Sequence, residues 1–291
     1  MTRGRFAPSP TGPLHMGNLR TAVAAWGSAG VLPEQFVVRF EDLDTHNVTR
    51  EHAAQQRDDL ARFGIVSGSE PVFQSDRFDL YRDAIATLRN KGLVYECFCT
   101  RKEIAAAVAA PHGPVGLYPG TCRTLTDAER EKKRAVRPGA LRLLADGTMA
   151  TFEDYLAGTV TGAVDDVVLR RNDGVPAYNI AVVVDDALQG ITEVVRGDDL
   201  LGITPSQVHL QQLLGVSTPI YGHVPLVVGP DGERLAKRHG AVDLESLAEI
   251  GVDADEVPET LWASLGQTSE VFDWSRVPQE PWVSPWSSDV R

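Results

Sequence analysis

Residues 3–19 read RGRFAPSPTGPLHMGNL, and this stretch decides the fold of the chain. A short strand over residues 5–7 leads into a loop in which three prolines and Gly12 prevent regular structure. A helix begins near Gly17, and its apolar spacing continues to Trp26. A loop that ends on a helix N-terminus suits phosphate, because unpaired N–H groups and the helix dipole both face the anion there. On its own, a turn of this composition is more often only a turn.

A second predicted strand ends in acidic residues. Residues 35–41 read as a buried strand, and Glu41 and Asp42 stand at its end. Carboxylates in that position lie where open α/β sheets bind ligands, although helix caps and loops also use them. The alternation of predicted strands and helices continues to residue 90 and is typical of a doubly wound sheet.

The three cysteines argue against a disulfide framework, because their number is odd and we expect the protein to be cytosolic. In an extended segment Cys97 and Cys99 fall on the same side, and Cys122 follows in the turn YPGTC. Tetrahedral zinc needs a fourth ligand, for which His112 is the obvious chemical choice and Tyr118 the unusual one. The alternative is three buried thiols that pack as small apolar groups.

The composition limits the possible partners. A net charge of −12 over 291 residues argues against nucleic-acid binding by a generally cationic surface. Residues 123–142 nevertheless hold seven basic side chains against three acidic ones, which indicates either a local phosphate contact or a solvated helix. No apolar run approaches the roughly 18 residues that cross a bilayer, and the N-terminus lacks the core of a signal peptide. We therefore expect a cytoplasmic protein without a membrane partner.

The stretch from Pro8 to Asn18 resembles the HIGH motif of class I aminoacyl-tRNA synthetases, in the form found in the glutamyl-tRNA synthetase branch. The resemblance covers about residues 3–265. It implies an α/β fold, with a Rossmann-like doubly wound parallel sheet, an inserted zinc-containing subdomain and a helical C-terminal part.

This resemblance implies an ATP site, with Mg²⁺ accompanying the nucleotide. His15 and Gly17 match positions that touch ATP in the family, and Asn18 replaces a second histidine with another hydrogen-bonding side chain. Residues 234–238, RLAKR, resemble the KMSKS loop, and Lys237 keeps its second lysine. An arginine and an alanine replace the first lysine and the serine of that motif. His15 and Lys237 are the expected catalytic residues.

The same resemblance implies a glutamate pocket. Tyr178 and Arg196 match the glutamate-binding tyrosine and arginine of the family, although alone they read as a core aromatic and a salt-bridge partner. Arginine suits this role because its planar fork grips a carboxylate with two hydrogen bonds. The full expected glutamate set is Arg5, Ala7, Ser9, Glu41, Tyr178 and Arg196. The opening loop would then serve two ligands, glutamate at its strand end and ATP over residues 15–18.

The cysteine pattern resembles the zinc site of glutamyl-Q tRNA(Asp) synthetases and of some glutamyl-tRNA synthetases, in which a tyrosine takes the fourth position. The resemblance therefore implies one structural zinc on Cys97, Cys99, Tyr118 and Cys122, with His112 as a reserve ligand. Such an ion would clamp an insert that is too small for a core of its own.

We predict four parts along the chain. Residues 1–96 form the first half of the catalytic domain, 97–175 the zinc-binding insert that receives tRNA, and 176–240 the second half. Residues 241–291 form a C-terminal part that is helical from Leu244 to about residue 266, with Trp262 packing inward and a tail that the sequence does not place.

The chain leaves no room for the helical anticodon-binding region of a full glutamyl-tRNA synthetase, which favours the glutamyl-Q tRNA(Asp) synthetase family. Members of that family attach glutamate to the queuosine base in the anticodon of tRNA(Asp). We therefore expect a monomeric ligase whose partners are L-glutamate, ATP and tRNA(Asp) carrying queuosine. Two alternatives stay open: a shortened glutamyl-tRNA synthetase that charges a tRNA 3′ end, and a catalytically weak paralogue that only binds tRNA.

Overall fold

The computed structural model describes residues 2–44, 47–108, 117–235, 242–268 and 271–287. The opening stretch begins a parallel sheet of three strands in the order β1-β2-β3, which are Gly4–Phe6, Phe36–Phe40 and Val72–Phe73. All residues of β1 and β2 are buried, as expected for strands of a parallel sheet that is covered on both faces.

Two further sheets, of three and four strands, follow along the chain. The insert carries an antiparallel sheet in the order β4-β5-β8, and the second large sheet has the order β7-β6-β10-β9. In chain order these strands are β4 (Val94–Cys97), β5 (Ala140–Leu143), β6 (Met149–Asp154), β7 (Gly158–Ala163), β8 (Val168–Arg170), β9 (Glu193–Gly197) and β10 (Ile220–Val224).

The predicted parallel sheet is present as two adjoining sheets. Strand β10 is parallel to both β9 and β6, but β7 is antiparallel to β6, so this second sheet is mixed. The two sheets meet where the main-chain N–H groups of Thr192 and Glu193 donate to the carbonyl oxygen of Arg3, at 3.0 and 3.2 Å. The carboxyl ends of β1 and β9 therefore open onto the same edge.

Helices cover both faces of these sheets. The nine α-helices of the described residues are α1 (Met16–Ser28), α2 (Arg50–Arg62), α3 (Phe78–Asn90), α4 (Arg101–Val108), α5 (Asp127–Arg134), α6 (Tyr178–Leu188), α7 (Thr204–Leu214), α8 (Leu244–Glu249) and α9 (Val257–Ser264). Val38 of β2 packs into the core that contains α1, whereas its neighbour Val37 packs into the core that contains α3 and α6. This alternation is the doubly wound arrangement expected from the sequence.

The C-terminal part differs from the prediction of one continuous helix from Leu244 to about residue 266. It forms α8 and α9, because Gly251 adopts a φ of 80° and ends the first of them. Trp262 packs against the core, as predicted. No helix of the described segments combines the length and the apolar character that crossing a membrane requires.

The tail after residue 271 returns to the catalytic sheets. A strand β11 (Val227–Val228) pairs in parallel with β12 (Trp282–Val283). The indole of Trp274 stacks on Tyr155 with ring centroids 4.7 Å apart and fills the space that Gly222 leaves beside β10. The tail thus braces the strands that lead to residues 229–235.

Candidate active site

A cavity of about 700 Å³ opens at the carboxyl ends of β1, β2 and β9. It is lined by every predicted glutamate or ATP residue that the structure describes, namely Arg5, Ala7, Ser9, His15, Gly17, Asn18, Glu41, Tyr178 and Arg196. Lys237 lies outside the described residues. Asp42 does not line this cavity, because its carboxylate turns to Ser75 and accepts a hydrogen bond of 2.8 Å from that main-chain N–H. For Asp42 the loop interpretation is therefore the one observed.

The opening loop is held in shape by α2. The buried side-chain amide of Gln56 donates to the carbonyl oxygens of Gly12 and Ser9, at 2.7 and 3.2 Å. The main-chain N–H of Glu41 adds a bond of 2.9 Å to the carbonyl oxygen of Pro8. The loop is therefore ordered by groups outside it. No local pattern marks Gln56 for this role, because the residue lies within a polar helix.

His15 caps the helix that follows the loop. Its Nδ1 accepts from the main-chain N–H of Asn18 at 3.2 Å, and the Asn18 side chain accepts from the N–H of His15 at 3.4 Å. Burial, followed by the nearby Arg234 cation, lowers the pKa of His15. The neutral ring thus carries its proton on Nε2, which can donate to a ligand. A Cβ at Gly17 would lie 2.9 Å from the His15 ring, so any larger residue there would displace the ring.

Arg196 presents a buried guanidinium with neutral partners. Its Nε donates to Nε2 of His223 at 3.1 Å, while its terminal nitrogens donate to Gln207 and Thr204, both at 2.8 Å, and to Tyr178 at 3.4 Å. Within the described part of the chain, none of these hydrogen-bond partners is a carboxylate. The salt-bridge alternative is therefore not observed, and a cavity wall carries an uncompensated positive charge.

A buried charge network lies behind Arg5 and Glu41 of the cavity wall. Arg39 is fully buried and donates to Asp186 at 2.7 Å, and the Asp186 carboxylate lies 3.6 Å from the Nε of Arg5. Glu41 lies 3.6 Å from Arg39. Burial raises the pKa of Glu41 to about 7, although Arg39 and Arg5 oppose the shift. A carboxylate so poised can bind a cation when it is ionised.

The sequence interpretation missed Arg39 and Asp186. A charged residue within the apolar strand FVVRF must find a buried partner, because an unpaired buried ion is strongly destabilising. That requirement was the available signal. The partner itself lies 147 residues away and could not be identified from local sequence.

The three cysteines and Tyr118 come together in the insert. The three sulfur atoms lie within 4.8 Å of one another. The Tyr118 hydroxyl is 3.3 Å from the sulfur of Cys97 and 3.4 Å from that of Cys99. These four donors can hold a metal ion. Thiolates are soft ligands of the kind that bind zinc. The other predicted ligand, His112, lies outside the described residues.

Fewer of the basic side chains of residues 123–142 are free to bind phosphate than the composition of this segment indicated. Four of its arginines form ion pairs: Arg123 with Asp166, Arg130 with Asp127, Arg134 with Glu96 and Arg137 with Glu103. The guanidinium of Arg142 lies 3.9 Å over the ring of Tyr118 instead of facing solvent. Within the described residues, Lys132 and Lys133 on α5 remain as exposed cations for a phosphate contact.

Residues 1–265 match the family described as tRNA synthetases class I (E and Q), catalytic domain. The fold and the cavity thus define a class I aminoacyl-tRNA synthetase catalytic domain of the glutamate and glutamine type. A glutamyl-Q tRNA(Asp) synthetase of Nocardia farcinica is 52% identical, covering 96% of this chain and 92% of the relative. Another, of Cutibacterium acnes, is 49% identical, covering 90% and 76%. The chain belongs to the glutamyl-Q tRNA(Asp) synthetase family.

A solved structure has the same fold. The glutamate-tRNA synthetase of Elizabethkingia anophelis superposes with a TM-score of 0.76 at 24% identity, covering 97% of this chain and 68% of that one. At this identity the likeness shows the fold alone.

Proposed function

We propose that the chain is an ATP-dependent ligase that activates L-glutamate to glutamyl-adenylate and transfers the glutamyl group to the queuosine base of tRNA(Asp). The observation that carries the proposal is that one cavity is lined both by Arg196, with its neutral partners, and by the loop around His15. The names of the two relatives support queuosine as the acceptor.

The charges of the cavity match those of glutamate. Arg5 and Arg196 supply two buried cations for two carboxylates, and Glu41 supplies an anion for the ammonium group. The main chain at Ala7, the hydroxyl of Ser9 and the hydroxyl of Tyr178 complete this set at the same wall. Such fixed charges bind the zwitterion in one orientation.

The N-terminus of α1 forms the ATP side. His15, Gly17 and Asn18 hold the nucleotide there, and Lys237 offsets charge that develops on the leaving pyrophosphate. Mg²⁺, when bound with ATP, would screen the triphosphate. A carboxylate oxygen of glutamate attacks the α-phosphorus, and the bond to pyrophosphate breaks. A hydroxyl of queuosine's cyclopentene ring then attacks the adenylate carbonyl and releases AMP.

Catalysis in this proposal comes from orientation and charge stabilisation, without a covalent intermediate on the enzyme. The proposal is for a monomeric enzyme. The proposed division into residues 1–96, 97–175, 176–240 and 241–291 assigns the cavity to the first and third parts. In the second part, Cys97, Cys99, Tyr118 and Cys122 would hold a structural zinc that clamps the small core around Tyr95 and Phe98.

The test offers labelled glutamate and ATP with three tRNAs: tRNA(Asp) with queuosine, tRNA(Asp) without it, and tRNA(Glu). Label is expected only on the first, and a His15→Ala variant should label it more slowly at limiting ATP. Equal labelling of both forms of tRNA(Asp), or labelling of tRNA(Glu) alone, would overturn the proposed acceptor. Absence of glutamate-dependent ATP–pyrophosphate exchange would favour the paralogue that only binds tRNA.

A further inference from the structure

Two buried residues behind Arg196 of the proposed glutamate pocket have no part in the proposed function so far. His223 of β10 and Asp154 of β6 are 4% and 5% exposed, and His223 is hydrogen-bonded to Arg196, which lines the cavity. We propose that His223, oriented by Asp154, is a positioning residue that presents Arg196 to a substrate carboxylate with its charge uncompensated. This inference rests on the proposed activation of glutamate.

The hydrogen bonds assign the form of the histidine ring. Arginine can only donate, so the 3.1 Å bond from Arg196 requires Nε2 of His223 to be the acceptor. The ring proton then sits on Nδ1, which lies 2.6 Å from Oδ2 of Asp154 and donates to it. Burial, together with the charge of Arg196, lowers the pKa of His223 against the effect of Asp154, which favours this neutral ring.

Asp154 is fixed by its own turn. Its Oδ1 accepts from the main-chain N–H groups of Leu156 and Ala157, both at 2.9 Å, and its Oδ2 also accepts from the N–H of His223 at 3.2 Å. Although burial opposes ionisation, the hydrogen bond from the His223 ring, followed by those from the N–H groups of Ala157 and Leu156, holds the pKa of Asp154 below its ordinary value. The carboxylate of Asp154 therefore stays charged and orients the imidazole. Because the His223 ring lies between them, this carboxylate does not contact Arg196 directly.

The other partners of Arg196 are likewise oriented as acceptors. The amide nitrogen of Gln207 donates to the side-chain oxygen of Asn179 at 2.9 Å, which turns its oxygen towards the guanidinium. The Thr204 hydroxyl donates to the carbonyl oxygen of Leu200 at 2.9 Å and so accepts from Arg196. A buried cation that is hydrogen-bonded only to neutral acceptors has no counter-charge, so an anionic ligand that binds to it is strongly stabilised.

The consequence concerns selectivity between glutamate and glutamine. A carboxylate in direct contact with Arg196 would pair with it and remove the advantage of a charged substrate. The neutral imidazole of His223 instead holds the Nε of Arg196 in place without adding a negative charge. His223 would thus act through Arg196, without touching the substrate.

The experiment measures ATP–pyrophosphate exchange for His223→Leu and His223→Gln with glutamate and with glutamine. His223→Leu should raise the KM for glutamate at least about tenfold and leave the KM for ATP within about twofold, because only one half of the cavity loses its support. His223→Gln should recover most of this loss, since its amide oxygen can accept from Arg196. Gln207→Glu, which is isosteric but adds a carboxylate, should lower the preference for glutamate over glutamine.

Tyr221→Phe is the matched control. Tyr221 lies on the same strand as His223, and this change removes a buried 3.0 Å hydrogen bond that Gln211 of α7 donates to its hydroxyl, but it keeps the ring that stacks on His223. It should melt earlier, with an unchanged KM for glutamate. Thermal melts should show that His223→Leu is folded at the assay temperature. If it is not folded, His223→Gln and Gln207→Glu are compared with the wild-type enzyme instead.

The inference is overturned if His223→Leu keeps the wild-type KM for glutamate, or if the KM values for glutamate and ATP rise together. It is also overturned if the folded His223→Gln variant is no better than His223→Leu, or if Gln207→Glu leaves the preference unchanged. A wild-type enzyme without glutamate-dependent exchange would instead overturn the proposed function, so the two failures are distinguishable.

Discussion

The guanidinium of Arg5 donates a hydrogen bond of 2.8 Å to the main-chain carbonyl oxygen of Val195, 190 residues further along the chain. This bond joins β1 to β9 beneath the cavity, at the edge where the two large sheets meet. Arg5 therefore connects the two proposed halves of the catalytic domain as well as lining the proposed glutamate pocket.

A pair of variants tests the division of the opening loop between two ligands. Arg5→Ala should raise the KM for glutamate about tenfold, or about 1.4 kcal/mol, with a smaller change for ATP, and His15→Ala should do the reverse. Arg5→Lys is the milder variant if loss of the bond to Val195 prevents folding. Exchange kinetics with each ligand varied in turn provide the measurement. If both variants affected only ATP, the division would be wrong.

Glu41 should make stability depend on pH. Its pKa is raised to about 7 in the folded chain, so the folded state holds a proton that the unfolded state releases. Its contribution to the free energy of unfolding therefore falls as pH rises from about 4.5 to 7 and is constant above. Glu41→Gln should be more stable than wild type at pH 8, on the order of 2 kcal/mol, and nearly equal at pH 5. Urea unfolding at both pH values measures this, and a difference independent of pH would contradict it.

The proposed zinc site predicts which residues retain the metal. His112→Ala should keep one zinc per chain, because Tyr118 supplies the fourth donor, whereas Cys99→Ser should lose it. Chelation should lower the melting temperature by about 5 °C or more, since the small core of the insert depends on the clamp. Elemental analysis of the purified variants gives the stoichiometry. Loss of zinc from His112→Ala would exclude the Tyr118 assignment.

The tail predicts a coupled pair of variants. A Cβ at position 222 would overlap the ring of Trp274, so Gly222→Ala should cost about 1–3 kcal/mol of stability. In a Trp274→Ala background the same change should cost almost nothing. Denaturant unfolding of the four proteins in a double-mutant cycle measures the coupling. Equal costs in both backgrounds would show that the tail does not occupy this space in solution.

The opening loop was predictable because its information is contiguous. Three prolines, two glycines and the helix that follows determine its local course, and the described residues it contributes do line one cavity. The groups that support Arg196 come instead from separate segments, with Thr204 and Gln207 on α7 and His223 on β10. No local pattern marks a polar side chain as the partner of a cation that lies elsewhere in the fold.

Two elements were hidden from the sequence for different physical reasons. The run AVVV at residues 181–184 belongs to α6, which packs against both α3 and α7. Because the run is continuously apolar, it shows no periodic pattern of polar residues by which a helix could be told from a strand. The tail binds through aromatic rings, such as Trp274 on Tyr155, whose partners are far away in the chain. Periodicity cannot report contacts of that kind.

Gln56 has a consequence for the entropy of binding. By donating to the carbonyl oxygens of both Ser9 and Gly12, this one side chain holds the loop in its observed shape before any ligand arrives. The conformational freedom of the loop is then lost when the chain folds, and little of it remains to be lost on association. Glutamate and ATP would meet a surface that is already arranged, so that Gln56, from outside the motif, contributes to the affinity of both.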